Sequence, residues 1–257
     1  MTIQRVGVAA LLAGVACTSS VMPSLVPPSP TGSAAATTPS RSAIEDARGV
    51  LAQQHLTRSC DPPCYVSLVT IEERSTPVAD TTGEAGFELV VSGTERITVD
   101  GQTTDLANGH AIPIAQGAPR QRQADRATSY FISLRPVDRR ERYLAPDRSI
   151  LYESADLPAA ATPPGDYDDA LVMLVLASGQ VVPPHMHGGI EPTYVIEGTI
   201  ELRIRGKPVR RLSAGEADTV LPDTPLLITN VGPTIARVLV MLATPAGKPV
   251  QSPADPP

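Results

Sequence analysis

Residues 179–198 read GQVVPPHMHGGIEPTYVIEG and place Gly179, His185, His187, Glu191 and Gly198 in the spacing G-x5-H-x-H-x3-E-x6-G. Side chains two apart on a strand share a face, so His185 and His187 point the same way while Met186 points the other. Glu191 supplies a carboxylate oxygen from the next turn or strand. Two neutral imidazoles and one carboxylate, with further positions left to water or substrate, suit a divalent transition metal, and Fe, Mn, Zn, Ni and Cu all fit that donor set. Only four histidines occur in the chain, so their pairing at this spacing carries weight.

With its glycines, this segment resembles the first motif of the cupin superfamily. The second cupin motif is expected a few tens of residues on, and GEADTVLPDTPLLITN supplies Gly215, Pro222 and Asn230 in order. Metal-binding cupins commonly carry a further histidine four residues before that asparagine, and here the place holds Leu226, with Leu227 as the alternative occupant. The resemblance thus implies a metal site reduced to His185, His187 and Glu191. Tyr194 is either a hydrogen-bond donor behind them or an aromatic of the barrel wall.

A shift of 100 to 106 residues lays one half of the chain on the other, a period that means domain duplication rather than a solenoid. RGVL from Arg48 falls on RSIL from Arg148, VVSGTERITVDG on VIEGTIELRIRG, Gly109 on Gly215 and Pro119 on Pro225. An offset of 105 sends His185, His187 and Glu191 to Asp80, Thr82 and Gly86, so the first half lacks the metal set and is structural or binds without metal. His55 and His110 are read as isolated surface or edge residues.

Short Val, Ile, Leu and Thr runs punctuated by 27 prolines and 19 glycines are strands joined by turns. In ERITVDGQTTDL the central Asp100-Gly101 marks a hairpin, and in ELRIRG the residues Leu202 and Ile204 face inward with Arg203 and Arg205 outward. The fold class expected is all-β: two tandem cupin-like jelly-roll barrels, each a double-stranded β-helix. The expected boundaries are a first barrel over 46–137, a second over 138–250 and a disordered tail over 251–257.

The N-terminus MTIQRVGVAALLAGVAC combines Arg5, an apolar run and Cys17 in a small-residue context, the pattern of an export signal over 1–17. The run ends far short of the ~20 residues that span a bilayer. Its end resembles the lipobox of bacterial lipoproteins, with Gly14 where a leucine-like residue is usual, so Cys17 is the expected lipidation site, the alternative being a plain secretory signal. Residues 18–45, rich in Ser, Thr, Pro and Ala, are the expected tether.

Without Cys17 the remaining thiols are a pair, Cys60 and Cys64 in SCDPPCY; outside the cytoplasm they form a disulfide, and elsewhere they stay free. The expected setting is the cell envelope, through a lipid anchor in the membrane, or secretion. A formal net charge of −6 argues against nucleic acid as a partner. The arginines of RPVDRRERYLAPDR are interrupted by acids and read as a solvated connector. A small polar organic molecule is the expected ligand, with metal-dependent oxygenase or isomerase chemistry as the sharper form and non-catalytic binding as the alternative. Homo-oligomers remain open, since the two halves can pair as an internal pseudo-dimer.

Overall fold

The computed structural model describes residues 48–57, 60, 63–72, 78–80, 83–124, 127–143 and 148–257. The signal segment, Cys17 and the whole of the tether lie outside the described residues. Within them the chain is built of strands with two short 3-10 turns, Val137–Tyr143 and Ala159–Ala161. No helix among the described residues is long and apolar enough to cross a membrane.

The first barrel uses β2 (Cys64–Glu72), β3 (Val78–Asp80), β4 (Gly86–Ser92), β5 (Thr94–Val99), β6 (Gln102–Ala107), β7 (Ala111–Ile114), β8 (Arg120–Ala124) and β9 (Thr128–Pro136). The second uses β11 (Asp166–Leu176), β12 (Val181–Met186), β13 (Glu191–Glu197), β14 (Thr199–Ile204), β15 (Arg210–Ser213), β16 (Ala217–Val220), β17 (Leu226–Asn230), β18 (Ala236–Pro245) and β19 (Ser252–Pro253). Two strands remain, β1 (Arg48–Thr57) and β10 (Arg148–Glu153), and each is donated to the opposite barrel. β1 pairs with β11 and β10 with β2, which gives large sheets in the orders β1-β11-β18-β13-β16 and β10-β2-β9-β4-β7. Smaller sheets, β15-β14-β17-β12-β19 and β3-β8-β5-β6, complete the two barrels.

The sequence match of 48–51 with 148–151 therefore marks a pair of exchanged strands, and even the irregularity is duplicated. β1 bulges between Val50 and Ala52, β10 between Ile150 and Tyr152. This exchange corrects the contiguous boundaries expected at 46–137 and 138–250, because β1 completes the second barrel and β10 the first.

Three apolar clusters follow from this layout. Val172, Leu174, Leu202, Ile228 and Val238 fill the second barrel, and Val69, Val90, Ile97 and Phe131 fill the first. The third cluster, with Leu68, Phe87, Ile132, Leu171, Tyr194 and Met241, lies where the outer faces of the two large sheets meet. β11 is thus covered on both sides through Leu174, which is why ALVML is continuously apolar, and Val175 on its outer face is exposed. β14 has one wet face, and its inward Leu202 and Ile204 alternate with the outward Glu201 and Arg203, joined at 2.7 Å. Asp100 and Gly101, at φ 50° and 78°, form the two-residue turn between β5 and β6, since both central positions of a type I′ turn need positive φ.

Cys60 and Cys64 are disulfide-bonded. Two arginines expected in a solvated connector are tied down. Arg135, 1% exposed, meets Glu84 at 2.8 Å, and Arg140 lies 3.9 Å from the Tyr65 ring centroid while reaching Asp156 at 2.7 Å.

Residues 251–257, expected as a disordered tail, instead cross the second barrel. β19 pairs with β12 at His185 and Met186, Gly188 N–H donates to Pro249 C=O at 3.0 Å, and Arg205 donates to Asp255 C=O at 3.0 Å. Unused edge groups on β12 supply the reason: without the tail its outer hydrogen-bonding side is bare. Gly188 permits the crossing, because a Cβ there would meet Lys248 Cβ and Pro249 O at 2.8 Å.

Candidate metal centre

β12 delivers His185, the turn after it His187, and the first residue of β13 Glu191; all three are at most 5% exposed. One ligand atom from each lies within 4.8 Å of the others. The two imidazoles meet edge to face with centroids 4.9 Å apart.

Hydrogen bonding sets their tautomers. His185 Nδ1 faces Pro183 C=O at 2.7 Å, and His187 Nδ1 faces Val250 C=O in the docked tail. A carbonyl only accepts, so each Nδ1 carries the proton and, in the neutral ring, each Nε2 presents a lone pair. His187 Nε2 then lies 3.1 Å from Glu191 Oε2, acceptor against acceptor. That arrangement calls for a positive charge between or on them, either a cation or a second proton on His187. Thr193, two residues along the same face of β13, approaches the other Glu191 oxygen, Oγ1 to Oε1, at 3.4 Å.

The three ligands open into a cavity of about 190 Å³ whose walls are apolar, with Val172, Leu174, Val240 and Leu242 from the large sheet and Val250 and Gln251 from the tail. Leu226 stands beside His185 across the β12–β17 ladder and is fully buried in the apolar core. The leucine therefore fills with hydrocarbon the place from which a fourth protein ligand would come. Asn230 ties backbone segments together, with Nδ2 donating to Leu176 C=O and Thr234 C=O at 2.8 Å and Oδ1 accepting from Gly232 N–H at 2.9 Å.

Tyr194 does not stand behind the metal residues. It is an odd number of positions from Glu191, so it faces out of the barrel into the third cluster, edge to face with Tyr130 at 6.0 Å. Burial pushes its hydroxyl up to about 12. His110 is exposed in a turn, Nδ1 on Ala107 C=O at 3.2 Å, whereas His55 rides on the exchanged β1 to the mouth of the second barrel.

The first barrel offers no equivalent site among its described residues. Gly86 stands where Glu191 does, and a Cβ there would already collide with Ile132 O. Its interior carries a paired ionic cluster instead. Arg122 donates to Glu88 at 2.7 Å and approaches Glu95 at 3.5 Å, Ser129 donates to Glu95 at 2.5 Å, and all four are at most 7% exposed. Arg120, the counterpart of Leu226 by strand register, packs its guanidinium 4.4 Å from the Phe131 ring centroid. Sequence reading missed these residues and the tail; Glu88 set among the apolar residues of GFELVVS was the one signal for the cluster.

Comparison with known proteins agrees with this layout. A family model described as "Cupin domain" matches residues 172–242. No curated protein sequence matches the chain. Among solved structures, a formate complex of Lactobacillus farciminis oxalate decarboxylase aligns at 13% identity over 75% of this chain and 76% of its own, TM-score 0.50. Bacillus subtilis oxalate decarboxylase, described for its Mn(II) centres, aligns at 12% identity over 80% of this chain and 79% of its own, TM-score 0.51. A variant of the Bacillus enzyme gives 12% identity, 73% and 71% coverage and TM-score 0.52. At such identities the likeness is one of fold, and residues 172–242, which include His185, His187 and Glu191, are similar to the cupin domain.

Proposed function

We propose that this protein is an exported bicupin that binds one divalent transition metal through His185, His187 and Glu191 and uses it on a small organic molecule, as an oxygenase or isomerase. The observation that carries the reading is the pair of facing acceptors, His187 Nε2 and Glu191 Oε2 at 3.1 Å, in a buried cavity with a second Nε2 beside them. A divalent ion there supplies Lewis acidity to an oxygen-bearing ligand at its remaining positions. The chain's own contribution is orientation and exclusion: Pro183 and Val250 carbonyls fix the rings, Thr193 steadies the carboxylate, and the Val and Leu walls keep the ligand end dry. Mn(II) in the Bacillus oxalate decarboxylase that shares the fold supports a metal of this class. The export signal, Cys17 as its lipid anchor and the Cys60–Cys64 disulfide support an envelope or secreted setting.

Elemental analysis tests the metal: purified protein should hold about one equivalent, and His187→Ala should lose it. A metal-free wild type that takes up none on titration refutes the proposal. Non-catalytic binding is the second reading, favoured by Leu226 in place of a fourth ligand; it is the one to keep if metal-loaded protein binds its ligand and never turns it over.

A further inference from the structure

We infer that the metal-lined cavity is the deep end of a longer site that takes an elongated ligand, with an oxygen-donor head for the metal, an apolar middle, and a distal cationic hydrogen-bond donor read by Asp168 beside His55. This rests on the metal reading above. A second cavity of about 590 Å³ opens beside the first, and the two share Val50, Val172, Leu242 and Val250 in their walls. That shared ring is an apolar collar.

Strand register gives the order of groups along the site. On β11 the inward residues run from Leu174 and Val172 at the metal cavity to Ala170 and then Asp168, and on β1 Val50, Gln53 and His55 lie opposite Val172, Ala170 and Asp168. Val172 and Asp168 are four positions apart along the strand, a span of roughly 13 Å at about 3.3 Å per residue. Val50 and Val250 are 62% and 44% exposed, large apolar side chains left in water unless something covers them, and both stand in the collar. An apolar ligand segment would cover them.

The outer cavity ends in polar groups. His55 Nδ1 meets Asp168 Oδ1 at 2.8 Å and its Nε2 lies 3.8 Å from Asp166 Oδ2. The hydrogen bond that His55 donates to Asp168, with the charges of Asp168 and Asp166, raises the His55 pKa. Even with that imidazole protonated, two half-exposed carboxylates face one positive ring, and the excess negative charge favours a cationic end group over an anionic one. His55 comes from the first half of the chain, so the ligand site of the second barrel is completed by the exchanged strand.

The test uses Mn-loaded full-length protein and three hydroxamates as probes, acetohydroxamate, octanohydroxamate and 8-aminooctanohydroxamate, with calorimetry for affinity and elemental analysis on the same samples. Octanohydroxamate should bind more tightly than acetohydroxamate, and the terminal ammonium should add about fivefold, the value of a partly exposed ion pair. Asp168→Asn should shrink that ammonium advantage to within about twofold with octanohydroxamate binding and metal content unchanged, and His55→Ala, which frees Asp168, should enlarge it. Equal binding of the short and long probes, or an ammonium advantage that is absent or survives Asp168→Asn, overturns the inference while leaving the metal reading intact. A wild type that cannot be loaded with metal overturns both.

Discussion

Deleting residues 247–257 should cost metal affinity even though it removes none of the three ligands. The deletion takes away Val250 C=O, which accepts from His187 Nδ1, together with Pro249 C=O beneath Gly188 N–H and the β19 pairing along His185 and Met186. His187 then loses the group that fixes both its ring plane and its tautomer, and Nε2 is no longer held as the lone-pair-bearing atom. Losing one such partner of a ligating histidine typically weakens metal binding about 10- to 100-fold, or about 1.4 to 2.7 kcal/mol. Competition of the full-length and shortened proteins against a chromophoric chelator measures the difference, with urea unfolding of the metal-free forms confirming that both are folded. Val250→Ala is the control: it keeps the carbonyl, so its metal affinity should stay within about twofold of wild type. Unchanged affinity in the shortened protein, or a Val250→Ala variant as impaired as the deletion, refutes the argument that the tail carbonyl orients His187.

Two further outcomes concern stability. Asp169, 5% exposed, has its carboxyl raised from 3.8 to about 7 by burial first and by Asp168 second. Its folded-state pKa lies above the unfolded one, so its contribution is whole below pH ~4, falls as pH rises toward 7 and is flat beyond; the total is on the order of 4 kcal/mol at most. Asp169→Asn should flatten that part of a plot of urea midpoint against pH between 4.5 and 8, and an unaltered slope would contradict the assignment. In the first barrel, Arg122→Met takes the guanidinium away from the buried Glu88 and should destabilise the protein by about 3–5 kcal/mol while metal content holds. A loss below about 1 kcal/mol in urea titrations would show that the cluster is not held by charge.

Much of the metal site was legible because it depends on parity and counting. The i, i+2 spacing puts His185 and His187 on one face, and counting back from Asn230 finds Leu226, which the structure pairs with His185. The same parity, applied to Glu191 and Tyr194, turns the tyrosine outward and away from the metal ligands. Barrel duplication was legible too, since Gly and hairpin positions repeat at a fixed offset. The partners of strands were not: RGVLAQQHLT declares itself a strand, but nothing local says that His55 pairs with Asp168, 113 residues away, rather than within its own half. The tail escaped for a different reason, as its prolines carry no hydrophobic period, and what holds it is backbone hydrogen bonding to an edge that only the assembled barrel exposes.

The exchange of β1 and β10 makes the two barrels interdependent in time as well as in space. During synthesis the first barrel lacks an outer strand until residues 148–153 emerge, while residues 48–57 wait for β11. Neither half is a unit that can be cut out and expressed intact, since a fragment beginning at 138 would lose β1 with the Val50 and His55 walls of its cavities. Closing contacts this far apart in sequence is slow and leaves strand edges open meanwhile, so disulfide formation at Cys60–Cys64 and docking of the halves compete with aggregation during folding.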